Sequence, residues 1–427
     1  MSFLSRRRAI GTAALVAALS VVGLSACGPT TPEPPRDELR GDVDYRPVAL
    51  SEAAATRDVV EATMDLGNDL LADAEGENRV VSAASVALVF AVVAEGAGGP
   101  AAEALDEFLG AAGTDRRDAF SALQAAVADY DGDPSVVQDD ELPERPLLHL
   151  ATGIVEAEGH EIEPDFLDTI AAYFDAGVAT ADFADANAKA VLDAWVREHT
   201  GGLIEESAIE SDADTVFVLQ NAVLLAARWQ SPFKESETTD EPFSVSSGGR
   251  HQVETMHQDL RAAYTEEPGG QAIRLPYTEG FAMDVLLPEE GTTPEELTTR
   301  DWAAYDAALR GEPAAQVSLA LPKVDIDSSA SLMESLARRG LEPVLAGDDL
   351  GGIAPGVSID EVAQQALLRI DEEGTVAAAV TEVAGAMSAP VPLDEVEMIV
   401  DRPFALRIVH VDTGWPLFQA VVNDPRG

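Results

Sequence analysis

The chain has 427 residues and a formal net charge of −50, from 77 acidic against 27 basic side chains, of which only Lys189, Lys234 and Lys323 are lysines. So acidic a surface argues against a nucleic-acid partner and against adsorption to anionic lipid headgroups, and it favours solubility and attraction of basic partners. One cysteine, Cys27, excludes an internal disulfide framework, so the body depends on a hydrophobic core.

Residues 1–26 have the pattern of a bacterial-type export signal. Arg6, Arg7 and Arg8 form its basic start, and Ala9 to Leu24 an uncharged run too short and Ala-rich for a permanent membrane span. Leu24-Ser25-Ala26-Cys27 matches a lipobox, in which the Cys27 thiol takes a diacylglycerol and holds the chain to the outer face of the cell membrane. A plain secretory signal with an incidental cysteine, and so extracellular release, stays open, as does the choice between the general and the twin-arginine export route. Residues 27–47, rich in proline at Pro29, Pro32, Pro34 and Pro35, read as a stiff tether, and 48–427 as the body.

Within the body, Val59, Val60, Met64, Leu66, Leu70 and Leu71 recur at helical spacing over 53–72. A short strand at 80–82 precedes a helix over 84–94 that is apolar all round and therefore buried on every side. A further helix is expected over 101–109. Asp129-Tyr130-Asp131-Gly132-Asp133-Pro134 has the start of a calcium loop without its closing ligands, so 129–146 reads as a surface insertion. Strands follow over 147–156, 217–226, 271–276, 281–287 and 316–321, with helices over 164–174, 187–198 and 329–339, the last closed by Gly340. A terminal hairpin joins 404–411 to 417–422 about Asp412-Thr413-Gly414. Helices first and strands later, with few crossovers, predict an α+β body with largely antiparallel sheets.

The segment 370–381 departs from loop composition. A strand ending Ala366, Leu368, Ile370 passes through Asp371, Glu372 and Glu373 to Gly374, and then Thr375, Val376, Ala377, Ala378, Ala379, Val380 and Thr381 are all small or β-branched. Ordinary loops are punctuated by Pro, Asn, Asp and Ser; this one is written as a strand. With a side-chain period of two, Thr375, Ala377, Ala379, Thr381, Val383 and Gly385 share one face, small enough to enter between existing strands, while Glu382 faces the other way.

No Gly-x-Ser-x-Gly elbow, His-Glu-x-x-His or phosphate loop is present, and the six histidines are dispersed, so neither enzyme chemistry nor a metal or cofactor is expected. His251 and His257 read as surface or core residues.

The body resembles the serpin family over nearly its whole length. Asn221-Ala222-Val223-Leu224-Leu225-Ala226-Ala227-Arg228-Trp229 is similar to the family's strand that leads to a buried tryptophan, and 191–203, with Trp195 and Gly201-Gly202, to the helix over the central sheet. Leu275-Pro276-Tyr277, Leu321-Pro322-Lys323, Asp401-Arg402-Pro403-Phe404 and Pro416-Leu417-Phe418 occur in the family's order, as does Glu372-Glu373-Gly374-Thr375. The resemblance implies a serpin fold: a large central mixed sheet, two smaller sheets, eight or nine helices and an exposed reactive-centre loop over about 372–400. It also implies a monomeric suicide inhibitor of serine proteases, trapped as a covalent acyl-enzyme when the cut loop inserts as a new strand.

Ser82, Ser85, Asn221 and Gln364 are implied at the sheet opening, Gln364 standing where the family often has histidine, and Gly374 is implied to supply the bend of the hinge. Counted as the family counts from the hinge, the recognised residue is Met387 or Ser388, with Ala389 beyond; proline at 390 and 392 and extra length before Pro403 loosen that register. Methionine suits elastase-, chymotrypsin- and subtilisin-like pockets, and no basic residue stands in 374–401 for a trypsin-like one. A non-inhibitory serpin, binding or scaffolding at the cell surface, is the alternative.

Overall fold

The computed structural model describes residues 38–427 except 75, 140, 160, 186–187, 312–314, 348 and 376–394. The first half is mostly helical: β1 (Glu38–Leu39), α1 (Thr56–Ala72), β2 (Arg79–Val81), α2 (Ala83–Val93), α3 (Gly99–Leu109), α4 (Gly113–Val127), β3 (Leu147–Ala157), α5 (Pro164–Phe174), β4 (Val178–Ala181), α6 (Ala188–His199). Strands dominate thereafter: β5 (Phe217–Arg228), β6 (Thr239–Ser244), β7 (Arg250–Glu267), β8 (Gly270–Pro276), β9 (Phe281–Pro288), α7 (Pro294–Gly311), β10 (Ala315–Pro322), β11 (Val324–Ser331). The chain ends with two single-turn helices, α8 (Met333–Leu336) and α9 (Glu342–Leu345), then β12 (Glu361–Ile370), β13 (Gly374–Thr375), β14 (Glu395–Ile399), β15 (Phe404–His410) and β16 (Pro416–Val422).

The central sheet has seven strands in the order β1-β4-β3-β5-β13-β12-β11, with β5 also pairing β12. The other nine strands form two smaller sheets that share the long β7, one of β14, β10, β7 and β6 and one of β7, β8, β9, β15, β16 and β2. This is the expected α+β architecture, with mixed sheets and nine α-helices among the described residues. No helix among them is long and apolar enough to cross a membrane.

All eleven residues of α2 are buried, as an all-round apolar helix requires, and α2 lies in the main core beneath β3 and β5. Two expectations shift. The helix expected from Ser329 begins at Met333, because Ser329, Ala330 and Ser331 pair with Gln365, Gln364 and Ala363 of β12 and stay in β11. It breaks where expected, at Gly340, whose φ of 88° is left-handed. Residues 38–47, placed in the tether by composition, run along the body. Glu38 and Leu39 pair with Ala179 and Val178 of β4, Arg40 Nη1 donates to the Asp175 carbonyl at 3.1 Å, and the Arg46 amide to the Ala172 carbonyl at 2.7 Å.

A buried charge cluster lies beneath α7. Arg407 of β15 faces Asp284 of β9 across the strand pair, 1% and 0% exposed, with Nε to Oδ2 at 2.8 Å. Arg274 of β8 forks onto the same carboxylate at 2.6 and 2.8 Å, and Asp306 of α7 takes Arg274 at 3.2 Å and Arg407 as well. Burial pushes the Asp306 carboxyl up, but Arg407 and the neighbouring Arg310 and Arg274 outweigh it and hold it below the usual range. Removing one member strands a buried charge. Arg407→Met is therefore expected to lower unfolding free energy by about 3 kcal/mol, read from the urea midpoint at constant slope.

Candidate functional site

The chain climbs β12 to Ile370, turns through Asp371, Glu372 and Glu373, and comes back antiparallel as β13 between β12 and β5. Thr375 pairs with Ile370 on one side and Ala227 on the other, and Gly374 with Arg228. Asp371 makes the turn: its Oδ1 accepts the amides of Glu373 and Gly374 at 2.9 and 3.1 Å, and its own amide donates to the Gly374 carbonyl at 3.1 Å. The turn's carbonyls are all held from the segment after β5: Trp229 Nε1 donates to Asp371, the Phe233 amide to Glu372 and the Trp229 amide to Glu373, at 2.8–2.9 Å. Trp229 is buried as expected, stacked on Tyr277 with ring centroids 4.5 Å apart and planes 9° apart.

Gly374 is needed for a different reason from the one the resemblance implied. Its φ is not left-handed, so it does not supply the bend; a Cβ there would lie 2.0 Å from the Ala227 carbonyl oxygen. It lets the returning strand come close enough to β5 to pair. Thr375, 2% exposed, points its hydroxyl to that of Tyr277, so the first residue of the predicted inward face is buried.

Glu372 is 6% exposed although it stands in a turn. Its Oε1 accepts the Thr238 hydroxyl at 2.7 Å and its Oε2 lies 3.0 Å from Lys323 Nζ. Burial pushes this carboxyl up, but the Thr238 bond and Lys323 outweigh it and hold it below the usual range. Burial likewise lowers Lys323, and the Glu372 carboxylate turns the balance upward. One of only three lysines thus fastens the hinge to the end of β10.

Below the hinge, β5 and β12 pair directly, in parallel, over four residues each: Val218, Leu219, Gln220 and Asn221 with Glu361, Val362, Ala363 and Gln364. Residues 222–226 and 365–369 do not pair with each other. The four residues expected at the sheet opening meet at the closing pair. The Gln364 amide bonds the Ser82 backbone twice, Oε1 accepting its N–H and Nε2 donating to its carbonyl, each at 2.9 Å, and Ser85 Oγ donates to Asn221 Oδ1. The amide, with its donor and acceptor, does at this position what a neutral imidazole does with its two nitrogens. Ser82 Oγ and Asn221 Nδ2 are buried with no hydrogen-bond partner among the described residues.

On the outer face, α6 crosses the sheet. Trp195 lies on Gly153 of β3, where a Cβ would come within 2.9 Å of its ring. His199, at the end of α6, is coplanar with His149 of β3, Nδ1 to Nε2 at 2.9 Å, and His149 Nδ1 donates to Asp131 Oδ1 at 2.7 Å. The Asp131 of the surface insertion is therefore a histidine partner, and among the described residues no group of side chains could hold a metal ion. Burial, then the neighbouring His149, pushes His199 down from 6.5 to about 4, against a smaller upward pull from Asp131.

Of the predicted site, Glu372, Glu373, Gly374, Thr375, Ser82, Ser85, Asn221 and Gln364 are thus placed. Val376, Ala377, Ala378, Ala379, Val380, Thr381, Met387, Ser388, Ala389 and Cys27 lie outside the described residues. Sequence reasoning missed Asp371, Thr238 and Lys323 as site residues; the scarcity of lysine was the available signal for the last. His257 lies partly exposed beside Thr239 and Glu241, a surface position.

The profile of the family described as Serpin (serine protease inhibitor) matches residues 58–425. Iripin-3 of Ixodes ricinus is 30% identical over 377 residues, covering 85% of this chain and 93% of the relative. The leukocyte elastase inhibitor of Bos taurus is 28% identical over 371 residues, covering 82% and 93%. Among solved structures, the thermophilic serpin tengpin in its native state superposes with a TM-score of 0.77 at 22% identity, over 90% of this chain and 97% of that one, a likeness of fold.

Between pH 6.5 and about 4 the unfolded chain takes up a proton that folded His199 refuses, so its contribution to stability is present above 6.5 and lost as pH falls through that window. His199→Phe is expected to flatten the decline in urea midpoint relative to the unmodified chain over this range.

Proposed function

The chain belongs to the serpin family, a family described as serine protease inhibitors, and from that premise we propose that it is a suicide-type inhibitor acting by reactive-loop cleavage and strand insertion. One observation carries the reading: the hinge has already turned and started down between β5 and β12, with Thr375 buried and paired to both. A strand that continues along this line meets the stretch where β5 and β12 do not pair with each other. The residues that would follow are Val376 to Thr381, all small or β-branched.

In the proposed reaction the target's serine Oγ attacks the carbonyl carbon of Met387, or of Ser388. An ester forms, the peptide bond to the next residue breaks, and that residue's nitrogen leaves as a new amino terminus. The freed loop then inserts antiparallel to β12 and carries the acyl-enzyme with it, so that the ester outlives the deformed active site. The native state is kept above the inserted one by a barrier, and its useful life is a rate. Met387 favours elastase-, chymotrypsin- or subtilisin-like targets, and a relative named for leukocyte elastase inhibition agrees with an apolar specificity. We place the protein, as a monomer, on the outer face of the cell membrane through Cys27 or released from it.

Incubation with elastase, chymotrypsin and subtilisin is expected to give a covalent complex that survives SDS. Clean cleavage after Met387 or Ser388 with no complex, across that panel, would instead identify a non-inhibitory binding or scaffold serpin. Thr375→Arg places a charge at a buried position and is expected to turn the inhibitor into a substrate that is cut and not trapped. Inhibition that survives this change would rule out insertion of the Thr375 face.

A further inference from the structure

Gln364 and Gln365 are neighbours on β12 and face opposite sides of the sheet. Gln364 holds Ser82 from the core side; Gln365 does the corresponding thing outside. Its Oε1 accepts the Ala208 amide at 2.7 Å and its Nε2 donates to the Glu206 carbonyl at 3.0 Å, both in the segment between α6 and β5. In register, Gln365 is the first β12 residue past the last β5–β12 pair, Gln364 with Asn221.

The segment it grips is bound to the other side as well. Ser207 Oγ donates to Gln220 Oε1 of β5 at 3.3 Å, the Ser207 amide donates to Asp193 Oδ1 of α6 at 2.8 Å, and Lys189 Nζ donates to the Ser207 carbonyl at 2.9 Å. Beneath it Ile209 is fully buried in a small apolar cluster that takes Val218 from β5, Ala363 from β12 and Leu192 from α6. Residues 206–209 therefore lie across the line where β5 and β12 close, fastened to both banks.

We propose that Gln365 is a positioning residue for strand insertion, a latch that ties the α6 segment across the closing pair and sets how fast the sheet opens. A strand that enters between β5 and β12 moves them apart by about 4.8 Å, far beyond the slack of a hydrogen bond. Either the bonds to Gln220, Asp193 and Lys189 release or the two from Gln365 do. The Gln365 pair is the side-chain link to β12, and both of its bonds end on backbone groups that water satisfies once they are released. The inference rests on the strand-insertion reading above.

The test uses the full chain and follows two quantities after a protease cuts within 376–394: the rate of the tryptophan fluorescence change on insertion, and the thermal midpoint of the cut product. In Gln365→Ala, insertion is expected to be about tenfold faster or more, from the net worth of two hydrogen bonds, with the midpoint of the cut product unchanged because its sheet is already open. Gln365→Glu keeps the acceptor for Ala208 but turns a carboxylate toward the Glu206 carbonyl, and is expected to speed insertion too. An unchanged rate in both variants overturns the latch, as does an equal loss of stability in uncut and cut forms, which would make Gln365 ordinary packing. If the unmodified chain gains no thermal stability on cutting, the strand-insertion reading fails and the latch with it. A gain in the unmodified chain with no rate change in the variants condemns the latch alone.

Discussion

The central sheet is organised around one incomplete pairing. β5 and β12 are neighbours in the central sheet, yet they meet directly over four residues each, and higher up the hinge comes between them. Backbone N–H and C=O groups in a sheet interior ask for partners, and along 222–226 and 365–369 these two strands do not supply each other's. The elements nearest the pairing restrain it. α2 presents its N-terminal serines from below, α6 and the segment after it lie above, and the segment after β5 grips the turn of the hinge at the top.

The restraints are mainly polar and the body they act on is apolar, which divides the labour. Burial of α2 and of the inner faces of the strands supplies stability without choosing one arrangement of the two strands over another. Directional bonds make that choice: Gln364 to Ser82 and Ser85 to Asn221 at the base, Glu372 to Lys323 and Thr238 at the top. Such bonds are individually modest against water, so a few of them can hold a state without making it permanent. The unpartnered Ser82 Oγ and Asn221 Nδ2 at the base mark a place where this arrangement leaves polar groups unsatisfied.

The central elements were legible because each carries its signal locally. The apolar run of α2, the alternation of β3 and the continuous apolar, β-prone run of β5 all show in a window of a dozen residues. α4 was not seen: its stripe of Phe120, Leu123 and Val127 is preceded by Asp115, Arg116, Arg117 and Asp118, and Arg116 is buried only because Asp106 and Glu95 lie beside it in space. β7 carries no clear local signal because its buried positions, 253, 255, 256, 262, 264 and 265, break the period of two and its eighteen residues include several charges. The end of β11 read as helix until β12 paired with it. Asp371, Thr238, Lys323 and Gln365 belong to no local pattern; each acquires its role from a partner that only the fold brings near, as Gln365 does from a segment more than 150 residues earlier.

The strap formed by residues 38–48 lies on the sheet's far edge and on the helices beside it. The strap enters the sheet at β1, which lies beyond β4 and β3 from the pairing of β5 with β12. That edge is held by two strand residues, the Arg40–Asp175 ion pair, the Arg46 amide on the Ala172 carbonyl of α5 and the Val48 amide on the Ser121 hydroxyl of α4. Each of these is a separate, small contact at an edge, where loss of one leaves the strands of the sheet interior paired. The strap is thus a rim that can peel from the sheet's edge while the pairing of β5 with β12 stays as it is.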